Sequence, residues 1–303
     1  MTNPEKRQPV GVAPAGRVTD IDVVSVQSQV VYGRVGNNVA VPALEAMGLS
    51  VAAVPTVLLS NTPHYPEMHG GAVPLEWFAG YLDDLAARGA LRRLRAIVTG
   101  YLGNAGQAQA LASWVRRLAD AGSDARLITD PVLGDHGDGV YVEPALVDAY
   151  RRRLLPLAHG LTPNDFELSR LSGRTATDLA GVAAAARSLL RGRTRWVAVT
   201  SAAPATWPRG RMRVVLVDAD GAWCLTHPHV DVAPRGTGDL FNATLAANWS
   251  GGMSMPEAAV AACRRVLHAM RLTREAGVAE LVLPREPALA AAGDVEVVPL
   301  PVP

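Results

Sequence analysis

Lysine is almost missing from this 303-residue chain: Lys6 is the only one, and every other basic side chain among the 29 lysines and arginines is arginine. That scarcity excludes several chemistries. A Walker-type phosphate loop needs a lysine on the phosphates, a protein kinase needs one on its third strand, and a pyridoxal-phosphate enzyme needs one for its Schiff base. Lys6 stands in the proline-dotted stretch 1–17, where none of these roles is plausible. Cysteine is scarce too. Cys224 and Cys263 stand alone, outside any CxxC spacing, which excludes a disulfide framework or a structural zinc cluster and suits a reducing, cytoplasmic home. An excess of one charge is also absent, because the formal net charge is +1. No long-range field therefore selects nucleic acid or an anionic membrane as partner. No uninterrupted apolar run approaches the roughly 18 residues of a membrane span, and residues 1–17 lack the apolar segment of a signal peptide.

What is present is apolar material for a core, with 49% hydrophobic and 19% charged residues. Runs that read as buried strands, Asp22 to Val26, Ser50 to Leu58, Ala96 to Thr99, Arg126 to Thr129 and Trp196 to Thr200, alternate with stretches of helical period. Such helical stretches are Asn37 to Met47, the segment after Pro74, Ala108 to Leu118 and Asp178 to Leu190. The alternation predicts an α/β fold with a doubly wound, mostly parallel sheet. Val214 to Val217 and Ala222 to Thr226 flank Asp220-Gly221 and predict an antiparallel hairpin at the sheet edge. Two alanine-rich helices follow, one after Gly236 and one near Pro256. No repeat or linker divides the chain, so the expected organisation is a leader over 1–17, one domain over 18–283 and a tail over 284–303.

In such sheets ligands bind beyond the carboxyl ends of the strands. The sharpest motif there is Gly236-Thr237-Gly238-Asp239, just ahead of a helical run. Two glycines let the backbone turn tightly where free amides and the positive helix end suit a phosphate, and Asp239 would accept a proton from an attacking hydroxyl. The same residues also read as an ordinary glycine turn with an acidic helix start. The helix dipole is expected to hold the Asp239 pKa below the unperturbed ~4, which phosphoryl transfer tolerates because its loose transition state depends on positioning and charge neutralisation. Without lysine, neutralisation falls to backbone amides, arginine and a divalent cation, which implies magnesium.

Hard oxygen ligands occur in Thr162-Pro163-Asn164-Asp165-Phe166-Glu167, where Asn164 and Glu167 share a helix face, although a helix cap explains the same spacing. Asp130 and Asp135 add carboxylates at a strand end or serve only to orient the loop. His227 and His229 lack a third metal ligand and read as a surface strand end, Arg151 to Arg153 as a solvated helix end, and Tyr32 and Trp77 as packing residues.

The motifs also occur in a recognisable order. Ser25 to Asn37, Val57 to Asn61, Thr99 to Gly103, Asp130 to Asp135, Thr162 to Glu167, Val199 to Ser201 and Gly236 to Phe241 resemble the successive blocks of pyridoxal kinases, a branch of the ribokinase superfamily. The resemblance spans about Asp22 to Thr273. It implies a ribokinase-like fold, with ATP phosphorylating the 5′-hydroxymethyl group of pyridoxal, and of pyridoxine and pyridoxamine. It makes Asp239 the base and gives the amides of Gly236, Thr237 and Gly238 the transferring phosphoryl. Ser28 would bind the pyridine ring, with Val35 and Tyr101 packing on it. Asp130 and Glu167 would organise Mg2+, with Asn164, and through it the ATP phosphates. Thr162, Thr200, Ser201 and Thr237 would contact the nucleotide, and Tyr141 would cover it. The resemblance further implies a homodimer and a response to K+.

Two positions depart from the family pattern. Gln29 stands where a histidine follows the ring-binding serine, and Thr62-Pro63 where His-Thr is usual. His64 is a candidate replacement imidazole, and Arg235 a further phosphate ligand or a surface ion pair. A related hydroxymethyl heterocycle such as the thiamine-precursor pyrimidine, or a sugar, stays open as acceptor, as does a non-catalytic vitamer-binding regulator.

Overall fold

The computed structural model describes residues 18–285 and 294–301. The leader 1–17, with Lys6, lies outside the described residues, as do 286–293 and 302–303 of the tail. The first strand, β1 (Val23–Val30), is followed by α1 (Asn37–Glu45), β2 (Val51–Leu59), a short β3 (Gly70–Ala72), α2 (Leu75–Ala87), β4 (Ala96–Thr99), α3 (Ala105–Asp120) and β5 (Arg126–Thr129). A two-stranded flap, β6 (Gly134–Asp135) and β7 (Gly139–Val140), then precedes α4 (Pro144–Ala149) and β8 (Gly160–Leu161). The chain continues through α5 (Asp165–Ser172), α6 (Leu179–Arg187), β9 (Trp196–Val199), β10 (Arg211–Asp218), β11 (Ala222–Pro228), α7 (Thr237–Ser250), α8 (Met255–Ala276) and β12 (Glu296–Pro299).

Ten strands form one sheet in the order β12-β11-β10-β9-β8-β5-β4-β1-β2-β3. The six from β2 to β9 run parallel, and the outer ones pair antiparallel. The expected hairpin is β10 and β11. It lies one strand in from the end of the sheet, because Glu296–Pro299, assigned to the tail from sequence, supplies the outermost strand β12. Between β1 and β4 the strand order reverses, and this switch point opens a crevice at the carboxyl ends.

Strand residues alternate between two cores. Val24, Val26, Ile97 and Leu127 face α2 to α6, whereas Val23, Ala96, Val98 and Ile128 face α1, α7 and α8. Leu240 to Ala247 of α7 are all buried, so this helix is enclosed on every side. Its first turn is thereby fixed relative to the strand ends, and Asn242 Nδ2 donates to the Thr99 carbonyl oxygen at 3.1 Å. Three readings made from sequence are corrected here. Trp77 is 55% exposed, Tyr32 is 61% exposed and packs only edge-on against Tyr65 and not in a core, and His227 is buried on β11 with its Nδ1 3.0 Å from the Pro228 oxygen.

Candidate active site

The parallel strand ends are aligned by backbone bonds that continue past the strands. Gly100 N donates to the Val26 oxygen (3.2 Å), Asp130 N to Thr99 (2.9 Å), Thr162 N to Thr129 (3.1 Å) and Thr200 N to Pro163 (2.9 Å). The loops bearing Tyr101, Asp130, Thr162 to Glu167 and Thr200-Ser201 are therefore set side by side along one rim. Ser201 and Ala203 take left-handed φ values of 49° and 46°, an uncommon conformation for side-chain-bearing residues that shapes this end of the crevice.

Asp239 lies in the first turn of α7, and its Oδ2 accepts a hydrogen bond from Gly36 N at 2.8 Å. Burial pushes its carboxyl up to about 6, against the lowering effect of the Gly36 bond. The dipole-lowered pKa expected from the helix-start position is thus reversed. Gly236 caps the helix with φ 90°, and a Cβ there would fall 2.1 Å from the Arg34 oxygen. Gly36, at φ 54°, would likewise meet Ser28 Oγ and the Ser28 carbonyl oxygen at 2.3 Å. The loop 31–36 therefore fits tightly between buried Ser28 and the turn at Gly236. Val35, on that loop, is partly buried.

Asp130 faces the same turn, since a Cβ on Gly238 would stand 3.6 Å from its Oδ2. Burial raises the Asp130 pKa well above the usual carboxylate range, and the nearby Glu167 and Asp239 carboxylates raise it further. Glu167 is raised chiefly by burial, although backbone amides oppose the shift. Its Oε1 accepts from Leu133 N (2.9 Å) and its Oε2 from Asn164 N (2.8 Å). Asn164 Oδ1 accepts in turn from Glu167 N (2.8 Å), completing a capping box, while Asn164 Nδ2 donates to the Gly134 oxygen (2.8 Å). The capping explanation of this pair is thus realised, and it fixes Glu167 beside Asp130. Among the described residues the buried hydroxyls of Thr99 and Thr129 find no hydrogen-bond partner, and the Thr162 hydroxyl lies against Asp130, tempering its raised pKa. Tyr141 stands over the acidic group, its pKa raised by burial and by Glu167, Asp130 and Asp135.

Among the described residues no three carboxylate, imidazole or thiol side chains converge as a ready metal cage. The donor chemistry nevertheless fits magnesium, which is commonly held by one or two carboxylates with water and substrate phosphates. Burial and neighbouring carboxylates favour the protonated forms of Asp130 and Glu167 in the apo protein, and a cation held by both would displace those protons and restore the charge that the site penalises.

Tyr101 is half-buried, and its carbonyl oxygen accepts from Thr56 Oγ1 at 2.7 Å. His64 Nδ1 lies 2.7 Å from Thr62 Oγ1, and its ring rests on Tyr65. Arg235 reaches Asp138 at 3.4 Å and Asp135 at 3.7 Å, which is the ion-pair reading of this residue. A pocket of about 400 Å³, lined by Val232, Ala233, Pro234, Arg235, Thr273 and Val278 among others, opens beside the α7 turn. Another depression of about 450 Å³, walled by Tyr32, Asn61, Tyr65, Pro66 and Glu67, contains none of the expected site residues. Sequence reasoning missed Gly36, Asn242 and Glu280. The first lies in the quoted substrate loop and the second in the α7 run, whereas nothing near Glu280 in the chain marks it.

A glycine turn opening a buried helix, an aspartate in its first turn and an acidic pair at the neighbouring strand ends define a small-molecule kinase of the ribokinase type. The family model described as phosphomethylpyrimidine kinase matches residues 41–283. A pyridoxine/pyridoxal/pyridoxamine kinase of Bordetella bronchiseptica is 59% identical over 87% of this chain and 93% of its own. A pyridoxal kinase of Granulibacter bethesdensis is 33% identical over 86% and 93%. The structure of the Leishmania donovani pyridoxal kinase with ADP and pyridoxamine superposes with a TM-score of 0.79 at 31% identity, covering 93% of this chain and 100% of that one. The chain belongs to the pyridoxal kinase family, whose members are phosphotransferases.

Proposed function

We propose that this enzyme transfers the γ-phosphoryl group of ATP to the 5′-hydroxymethyl group of pyridoxal, pyridoxine and pyridoxamine, yielding the 5′-phosphates and ADP. The observation that carries this reading is the Asp239 carboxylate, held by Gly36 N–H next to the open amides of the 236–238 turn. With a pKa near 6, Asp239 is ionised at neutral pH and basic enough to take the hydroxyl proton as the oxygen attacks. The Gly236, Thr237 and Gly238 amides then receive the migrating phosphoryl. Ser28, Val35 and Tyr101 border the vitamer ring. Thr162, Asn164, Thr200, Ser201 and Thr237 contact the nucleotide, whose base fits the pocket between Val232 and Val278, and Tyr141 covers the phosphates.

Asp130 and Glu167 would hold Mg2+, which when bound neutralises phosphate charge. The Thr162 hydroxyl beside Asp130 is a candidate oxygen donor for K+. The buried free thiols of Cys224 and Cys263 suit the cytoplasm. The match to the phosphomethylpyrimidine kinase model, together with Gln29 and Thr62-Pro63 in the ring loops, favours hydroxymethylpyrimidine as a second acceptor.

The test is a panel of pyridoxal, pyridoxine, pyridoxamine, hydroxymethylpyrimidine and ribose with MgATP, following ADP and phosphorylated product. The B6 vitamers should lead. Turnover of the pyrimidine or ribose above all three would overturn the assignment, and binding without turnover would make the protein a vitamer sensor.

A further inference from the structure

Three segments distant in sequence meet on one carboxylate. Glu280, just beyond α8, accepts from Arg34 N on Oε2 at 2.9 Å and from the Tyr65 hydroxyl on Oε1 at 2.6 Å. Its side chain is only 16% exposed, and a Cβ on Gly33 would approach its Oε2 to 3.2 Å. The imidazole of His64 is 4.0 Å away, with its other nitrogen engaged by Thr62, so the carboxylate's main partners are the amide and the phenol. The Arg34 peptide is thereby gripped at both ends. Its N–H is held by Glu280, and its carbonyl abuts Gly236, where no Cβ would fit. Two residues later Gly36 N holds the Asp239 carboxylate.

We infer that Glu280 is a positioning residue, which clamps loop 31–36 so that Gly36 meets Asp239 and the loop closes over the acceptor. This rests on the kinase reading. The physical reason is the short lever between the two bonds. If the Arg34 amide is released, the loop keeps its Val31–Leu59 and Tyr32–Ser60 backbone bonds and the Arg34 side-chain bond to the Asn38 oxygen, but the backbone between Gly33 and Val35 loses its tie to the α8 end and can lift away from the turn. Lifting would withdraw the Gly36 amide from the base and admit water to the phosphoryl group. Tyr65 brings the β2–β3 loop to the same point, so the clamp closes two flaps with one side chain. Its location after α8, whose preceding residues Thr273 and Val278 line the 400 Å³ pocket, puts it between that pocket and the first substrate loop.

The test uses the full chain with Glu280→Ala, Glu280→Gln and Tyr65→Phe. Glu280→Ala should lower kcat about 10- to 100-fold, the range that loss of a hydrogen bond to a charged group supports. It should raise the vitamer KM and the ratio of ADP formed to vitamer phosphorylated, and leave ATP affinity within about twofold. Glu280→Gln can still accept from Arg34 N while its amide donates to Tyr65, and should recover most of the loss. Tyr65→Phe should raise the vitamer KM several-fold with little change in kcat. Hydrogen exchange of the 31–36 amides should quicken in Glu280→Ala alone. An alanine variant with unchanged kcat, KM, product ratio and exchange would overturn the inference, as would equal losses in ATP and vitamer binding. If the parent chain phosphorylates no vitamer but its 31–36 amides still respond to Glu280→Ala, the kinase reading falls and the clamp stands.

Discussion

At Asp239 two effects oppose each other. A helix-start carboxylate gains up to about 1 kcal/mol from the dipole, less than one pKa unit, whereas burial can shift a carboxyl by several units the other way. Burial wins, and the group titrates near 6. Turnover should therefore fall about tenfold per pH unit below 6, where a solvated aspartate would keep the enzyme active to roughly pH 4; pH profiles of kcat/KM with saturating MgATP check this. Asp239→Asn should lower kcat about 10²- to 10⁴-fold with little effect on vitamer binding. The linkage has a definite sign. Because the folded pKa lies above the unfolded one, charging Asp239 weakens the native state at pH values above about 6, and the penalty disappears as pH falls towards 4. Asp239→Asn should accordingly raise the melting midpoint at pH 8 by ~2 °C or more, with the gain shrinking at pH 5.

Helix α5 and the strand ends around it separate structural from chemical roles. Glu167 satisfies two backbone amides, so Glu167→Ala should cost about 1–3 kcal/mol in urea titrations as well as impair MgATP use. Asp130 is set among other carboxylates, so Asp130→Asn should impair MgATP use while leaving apo stability equal or higher. The sequence reveals such elements unevenly. Ala96–Thr99 and Arg126–Thr129 are legible residue for residue, because parallel strands covered on both faces read as short apolar runs. The two-residue β8 escapes notice, since Gly160 carries no side chain to mark it and is buried under the Trp196 ring. The exposed β12 escapes because nothing in Glu296–Pro299 distinguishes it from a loop. At the site, Asp239 and its glycines are legible from local spacing. Its raised pKa is not, because burial by the assembled fold sets it, and the Glu280 contact is not, because Arg34 and Tyr65 stand more than 200 residues away.

The assembled protein presents exposed apolar side chains, Leu58, Leu75, Trp77 and Tyr81, around the β2–β3–α2 end of the sheet. We expect this end to pair two copies of the chain, and light scattering should show Leu58→Arg with Trp77→Arg shifting a dimer to monomer. Among described residues no helix is long and apolar enough to cross a membrane. The near-absence of lysine matters to an enzyme whose substrate and product carry aldehydes, which condense with amines. Borohydride trapping after incubation with pyridoxal should label Lys6 and the amino terminus and leave the crevice unmodified, as mass spectrometry of peptides would show. The fit at Gly36 and Gly236 reaches further than the chemistry. Because Gly236 has no room for a methyl group under the Arg34 oxygen, and Gly36 none against Ser28, the substrate loop is cut to the phosphate turn on one side and to its own strand on the other. Grafting a relative's loop alone should jam the pair, so altered acceptor preference in this lineage would have to arise by changing both together.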